Sequence, residues 1–122
     1  MTVPPDPAYL VGTGAAIGAV GRYLVGSLVV RWQGSVPFPT ATLVVNVIGS
    51  FGLAVLVFGG ATEPTALLVG TGVCGAFTTY SSFSVQTVRL WEDGRAGLAV
   101  AHAVGNFALS AAAVGLAWLL VG

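Results

Sequence analysis

The densest polar chemistry in this chain lies in a single run, Gly70-Thr71-Gly72-Val73-Cys74-Gly75-Ala76-Phe77-Thr78-Thr79-Tyr80-Ser81-Ser82-Phe83-Ser84. Glycines come first, then a cluster of hydroxyls, all within a stretch otherwise apolar enough to cross a bilayer. Glycine costs a helix interior about 1 kcal/mol relative to alanine, and Ser and Thr compete for backbone hydrogen bonds. The run therefore predicts a helix broken near Gly75–Thr79. A break frees carbonyls and N–H groups, and such backbone is tolerated at membrane depth only against protein or an aqueous cavity. Freed carbonyls are ligands for hard cations, as in the broken helices of transporters. The competing arrangement is a continuous helix whose hydroxyls bond back to its own carbonyls.

Other polar groups also sit among apolar residues. Asn46, in Thr42-Leu43-Val44-Val45-Asn46-Val47-Ile48-Gly49-Ser50-Phe51, is either helix-to-helix glue or part of a pore lining. Arg22 is costly at membrane depth and must face protein, water or a carbonyl cluster. There it attracts an anion or snorkels toward the boundary that Arg31 marks. His102, Asn106 and Ser110 recur every fourth residue and form one polar stripe. A lone histidine without Cys or carboxylate co-ligands is more often a packed neutral side chain than a metal ligand. Cys74, the only cysteine, cannot form a disulfide within the chain and suits a small buried apolar site. The spans contain no carboxylate and no nucleophile–base pair, which argues against an enzyme.

These groups need elements to position them. The chain has 122 residues, 56% hydrophobic and 7% charged, with a mean hydropathy of +0.94. A soluble domain carries roughly a quarter charged residues, so the solvent for this surface is lipid. The formal charge is zero, with no lysine, which argues against a nucleic-acid partner. A spanning helix needs about 20 mostly apolar residues. Four such stretches, about 9–30, 39–58, 65–88 and 96–121, make one all-α transmembrane domain of a multi-pass cell-membrane protein. The tail Met1–Pro7 has no basic segment, so the first stretch reads as a retained helix instead of a cleaved signal. Pro39 suits a helical first turn, and Trp32, Trp91 and Trp118 fall near the predicted interfaces. Gly14-x-x-x-Gly18, followed by Gly21, is a close-packing face. The loops are expected at Arg31–Pro37, Gly59–Pro64 and Arg89–Arg95. Four helices make a thin bundle, which favours an oligomer.

Three runs carry a family resemblance: Gly18-Ala19-Val20-Gly21-Arg22-Tyr23, Leu43-Val44-Val45-Asn46-Val47-Ile48-Gly49-Ser50-Phe51 and Gly72-Val73-Cys74-Gly75-Ala76-Phe77-Thr78-Thr79-Tyr80-Ser81-Ser82-Phe83. Together, in order and over nearly the whole chain, they resemble the Fluc/CrcB fluoride channels. The resemblance implies a fluoride-selective passive channel that lowers cytoplasmic fluoride, built as an antiparallel dimer with two pores. It implies a structural, untransported sodium ion held by the carbonyls of Gly75 and Thr78. It maps the pore asparagine to Asn46 and the pore aromatics to Tyr80 and Phe83, with Ser81, Ser84 and Ser110 as hydroxyl donors near the path. Fluoride is small and strongly hydrated, so a dry pore must replace its water with donors. An amide, hydroxyls and the positive edges of aromatic rings are of the right kind. Tyr80 stands where the family usually has Phe, Ala76 where a second Gly is common, and Ser82 where Thr is common. Tyr keeps the positive edge and adds a hydroxyl that needs a partner.

Two other classes fit parts of the pattern. A small multidrug exporter has the same size but needs an intramembrane carboxylate, and Asp6, Glu63, Glu92 and Asp93 all lie outside the spans. A non-conducting scaffold subunit leaves the hydroxyls and aromatics behind Gly75 unexplained. Four spans put both termini and the Glu63 loop on one side, and Arg31, Arg89 and Arg95 on the other. The positive-inside rule assigns the arginine loops to the cytoplasm. This bias leaves two arrangements: a dual-topology homodimer, or one half of an oppositely oriented pair of paralogous chains.

Overall fold

The computed structural model describes residues 6–34 and 36–122. Met1–Pro5, part of the tail noted for its lack of basic residues, and Ser35, in the expected first loop, lie outside them. The described chain is all helical. Helix α1 is Pro7–Gln33 and α2 is Thr40–Phe58. The third span comes in two pieces. Its first, α3, covers 63–77 and is built from Glu63–Thr65, a widened π-helical stretch Ala66–Cys74 and Gly75–Phe77. Its second, α4, is Tyr80–Glu92. Helix α5 is Ala96–Val121. Helices α1, α2 and α5 are each long and apolar enough to cross a membrane, and α3 with α4 makes the fourth crossing. The protein is a multi-pass membrane protein of four spans.

Two helix ends run past the expected loops, for one reason. Arg31–Gln33 and Arg89–Glu92 were expected to be loop because they are polar, yet nothing there breaks a helix, and Arg, Leu and Glu are good helix formers. The chain leaves the helix at Gly34, with φ 69°, and at Gly94, with φ 75°, where glycine adopts the left-handed conformation without a Cβ penalty. Trp32, Trp91 and Trp118 lie in the last turns of α1, α4 and α5 and are exposed, as the aromatic belt of a bilayer requires.

The bundle has two packed halves. Helix α1 lies along α3, and α2 lies along α5, which also receives α4. The α1–α3 contact is backbone against backbone. A Cβ on Gly14 would overlap the Leu68 carbonyl oxygen, one on Gly18 the Val73 carbonyl, and one on Gly72 would come 2.8 Å from Gly14 Cα. Without water as a driving force, helices in lipid gain from such close approach through dispersion contacts. Most large apolar side chains outside this seam are exposed, including Ile17, Tyr23, Leu24, Phe107 and Leu119. The core of the single chain is correspondingly small, with Val45, Ala54, Ala99 and Ala117 among its buried members.

Candidate functional site

The break in the third span is the centre of the site. Thr78 has φ −83° and ψ 163°, and Thr79 has φ −149° and ψ 122°. Both are extended. Two consecutive β-branched residues disfavour helix, and Thr79 then restarts it as N-cap, its Oγ1 accepting from the Ser82 N–H at 3.1 Å. This is the ordinary work of a Thr N-cap. Just before the break the helix is already loosened, with the Gly75 N–H reaching back five residues to the Gly70 carbonyl. π-type turns of this kind recur at functional sites.

The unpaired peptide of Thr79 is satisfied from another helix. Asn46 of α2 accepts from the Thr79 N–H at 2.8 Å through Oδ1 and donates to the Thr79 carbonyl at 3.1 Å through Nδ2. Gly49, one turn further along α2, makes this reach possible, because any Cβ there would strike Thr78 Cγ2. Asn46 Nδ2 also donates to Asn106 Oδ1 of α5 at 3.0 Å. Asn106 Nδ2 in turn donates to the His102 carbonyl at 2.8 Å and lies 3.0 Å from His102 Nδ1. Asn46 thus holds the break together and also lines a cavity.

That cavity is a cleft of about 600 Å³ whose lining includes Asn46, Gly75, Thr78, Tyr80, Phe83, Asn106 and Ser110. Tyr80 and Phe107, also in its wall, are 81% and 79% exposed, so the cleft is open on one side of the single chain. Tyr80 and Phe83 have ring centroids 6.0 Å apart. The structure thus brings together most of the residues expected from sequence and leaves three aside. Ser81 lines a separate hollow with Gln86 and Arg89. Ser84 donates its hydroxyl to the Tyr80 carbonyl at 2.9 Å, the local back-bond open to any helical serine. Arg22 is exposed on α1 and is not among the cleft's lining residues.

Two residues matter more than the sequence suggested. Asn106 was visible only as the middle of the 102/106/110 stripe, and its bond to Asn46 makes it part of the site. Thr79 stood out only as one hydroxyl among many; the signal for its role was a Thr three residues before Ser82, where an N-cap belongs.

The same hydrogen bonds free two carbonyls. In an unbroken helix the Gly75 carbonyl accepts from the Thr79 N–H and the Thr78 carbonyl from the Ser82 N–H. Here the first N–H goes to Asn46 and the second to Thr79 Oγ1. Gly75 and Thr78 keep oxygen donors without helical partners beside the cleft, a donor set suited to a hard cation. Among the described residues no cluster of three or more His, Cys, Asp or Glu could hold a metal.

Four spans, an interrupted helix and a donor-lined cleft at its break define a small helical membrane protein with a polar site inside its bundle. The chain belongs to the CrcB family. The model described as "CrcB-like protein, Camphor Resistance (CrcB)" matches residues 9–118. The chain is similar to fluoride-specific ion channel FluC 2 of Haloarcula marismortui, with 51% identity over 116 residues covering 95% of this chain and 94% of that protein. It is likewise similar to fluoride-specific ion channel FluC 1 of Halobacterium salinarum, 51% identical over 94% of this chain and 93% of that one. A bacterial relative, fluoride-specific ion channel FluC of Agrobacterium fabrum, is 46% identical over 86% and 87%.

Proposed function

We propose that this chain forms a passive, fluoride-selective channel of the cell membrane that lets fluoride leave the cytoplasm. The observation that carries the proposal is the Asn46 amide, anchored on the Thr79 peptide within a cleft lined by aromatic and hydroxyl side chains. Its relatives are ion channels and not enzymes, and neither the exporter nor the scaffold alternative is favoured by them. In this reading Asn46 and Ser110 donate to the dehydrated anion, and Tyr80 and Phe83 present ring edges to it. Both hydrogens of Asn46 Nδ2 are engaged, so fluoride binds there by taking the place of the Asn106 oxygen. Ser81 and Ser84 stand outside the cleft of one chain and have the smaller part.

The open side of the cleft supports a second element of the proposal, an antiparallel dimer in the lipid bilayer. A second copy, or an oppositely oriented paralogue, would cover the exposed aromatics and close the path. Gly75 and Thr78 carbonyls from both chains would then hold a structural sodium ion, which supplies fixed positive charge near the anion path. Arg22 serves as a structural charge and not as an anion ligand.

Purified protein in liposomes tests the proposal. Fluoride should leave passively, without a proton or sodium gradient, and far faster than chloride. Chloride release at the fluoride rate, or fluoride release only under a proton gradient, overturns it.

A further inference from the structure

The cleft stops short of the end of the bundle that carries Arg31, Arg89 and Arg95. On α2 its lining residue nearest that end is Asn46. Beyond it Thr42, Ala99 and His102 are 6%, 2% and 0% exposed. A channel must cross the whole bilayer, and here the way from Asn46 to the arginine side is shut.

Rings fill the closed end. The His102 imidazole lies against Phe83, with centroids 5.2 Å apart, and Phe83 is a wall of the cleft. Phe38 meets the same imidazole edge-on, at 5.6 Å and 89°. It stands two residues before α2, next to Val36 and Pro37, which are already exposed. Phe38 is therefore the last ring of the series Phe83, His102, Phe38 before the protein surface.

The backbone under this ring is pinned locally. Pro39 fixes its own φ and pushes the residue before it toward extended backbone. Pro39 has φ −80° and ψ 68°, and the Thr40 N–H donates to the Phe38 carbonyl at 2.9 Å. Together these make an inverse γ-turn. Gln33 Nε2, at the end of α1, donates to Thr40 Oγ1 and ties the turn to that helix. The ring itself is free of these ties, and it leaves the imidazole by rotating between its own staggered wells.

We infer that Phe38 is the gate at the arginine-side end of the anion path: its ring shuts the way past His102, and fluoride passes when the ring turns aside. This rests on the fluoride-channel reading. Asn46 and Phe83 then contact the ion within the cleft, whereas Phe38 sets how often the way out is open.

His102 is the only histidine of the chain, which makes it a clean reporter of the gate. Untagged protein in liposomes is treated with diethyl pyrocarbonate, labelling of His102 is read by mass spectrometry, and fluoride flux is measured on the same preparation. Wild-type protein should label slowly. Phe38→Ala should label faster and pass fluoride about three- to tenfold faster, the scale of one lost edge-to-face pair. Phe38→Trp, which keeps a ring over the imidazole, should be as slow as wild type in both. Phe38→Ala protein whose His102 stays protected, or whose flux is unchanged or lower, overturns the gate and leaves the channel reading standing. Should that variant fail to fold, Phe38→Val gives the same two readings. Wild-type His102 that labels as fast as a free histidine derivative also overturns the gate. Wild-type liposomes that pass no fluoride overturn both.

Discussion

The two pieces of the third span are separated by two residues, and they are held to the bundle by opposite means. Helix α3 is fixed by the absence of side chains. Gly14 and Gly18 of α1 lie directly on its carbonyls, and Gly72 lies on Gly14. Helix α4 is fixed by the presence of one side chain, since Asn46 takes both polar groups of the Thr79 peptide at its start. The first contact tolerates no added atom. The second depends on the amide that pairs with the peptide. Close packing thus sets the rigid wall of the cleft, and hydrogen bonding sets the chemistry displayed in it.

The sharpest break of this contrast is Gly14→Ala. Its methyl has no room against the Leu68 carbonyl, and backbone cannot step aside as a flexible side chain can. Overpacking at such a site should destabilise by about 3 kcal/mol or more, seen as lost yield and a lowered melting temperature in detergent. Gly12→Ala, with nothing within 4 Å in the chain, should leave the melting temperature within a few degrees of wild type. Equal effects at the two positions would dissolve the contrast.

Asn46→Ala should act on function before fold. It strands the N–H and carbonyl of Thr79 and the oxygen of Asn106, at about 1–3 kcal/mol for a buried group left unpaired. Fluoride flux should fall at least about a hundredfold, as when a fixed donor is removed from a charged site, with the gel-filtration profile unchanged from wild type. Flux near the wild-type level would reduce Asn46 to helix glue.

Phe83→Ile keeps the volume nearly constant and removes the aromatic edge. About a tenfold loss of flux with an unchanged melting temperature is expected, since an aromatic contact is worth about 0.5–1.5 kcal/mol. An unaltered flux would take Phe83 out of the path.

The smallest effect belongs to Ser84→Ala. Its hydroxyl already serves the Tyr80 carbonyl, so stability should shift by less than about 0.5 kcal/mol and flux by less than twofold in the liposome assay. A tenfold loss would show that this hydroxyl leaves its carbonyl for the anion, and α4 would then contribute as much chemistry as α2.

Much of this protein was decided along the chain. The need for lipid follows from a composition with too few charges to cover a surface in water, and the number of spans follows from runs long enough to cross a bilayer. The break follows from glycines and β-branched hydroxyl residues that each weaken a helix locally. Such properties depend on neighbours within a turn or two, so the residues alone reveal them. The tertiary structure decided what answers the break. Asn46 and Thr79 are 33 residues apart, and Asn46 and Asn106 are 60, so no local pattern could show that one amide closes the peptide and a second backs it. The separation of Ser81 and Ser84 from the cleft was likewise invisible, because it depends on which face of α4 meets α5.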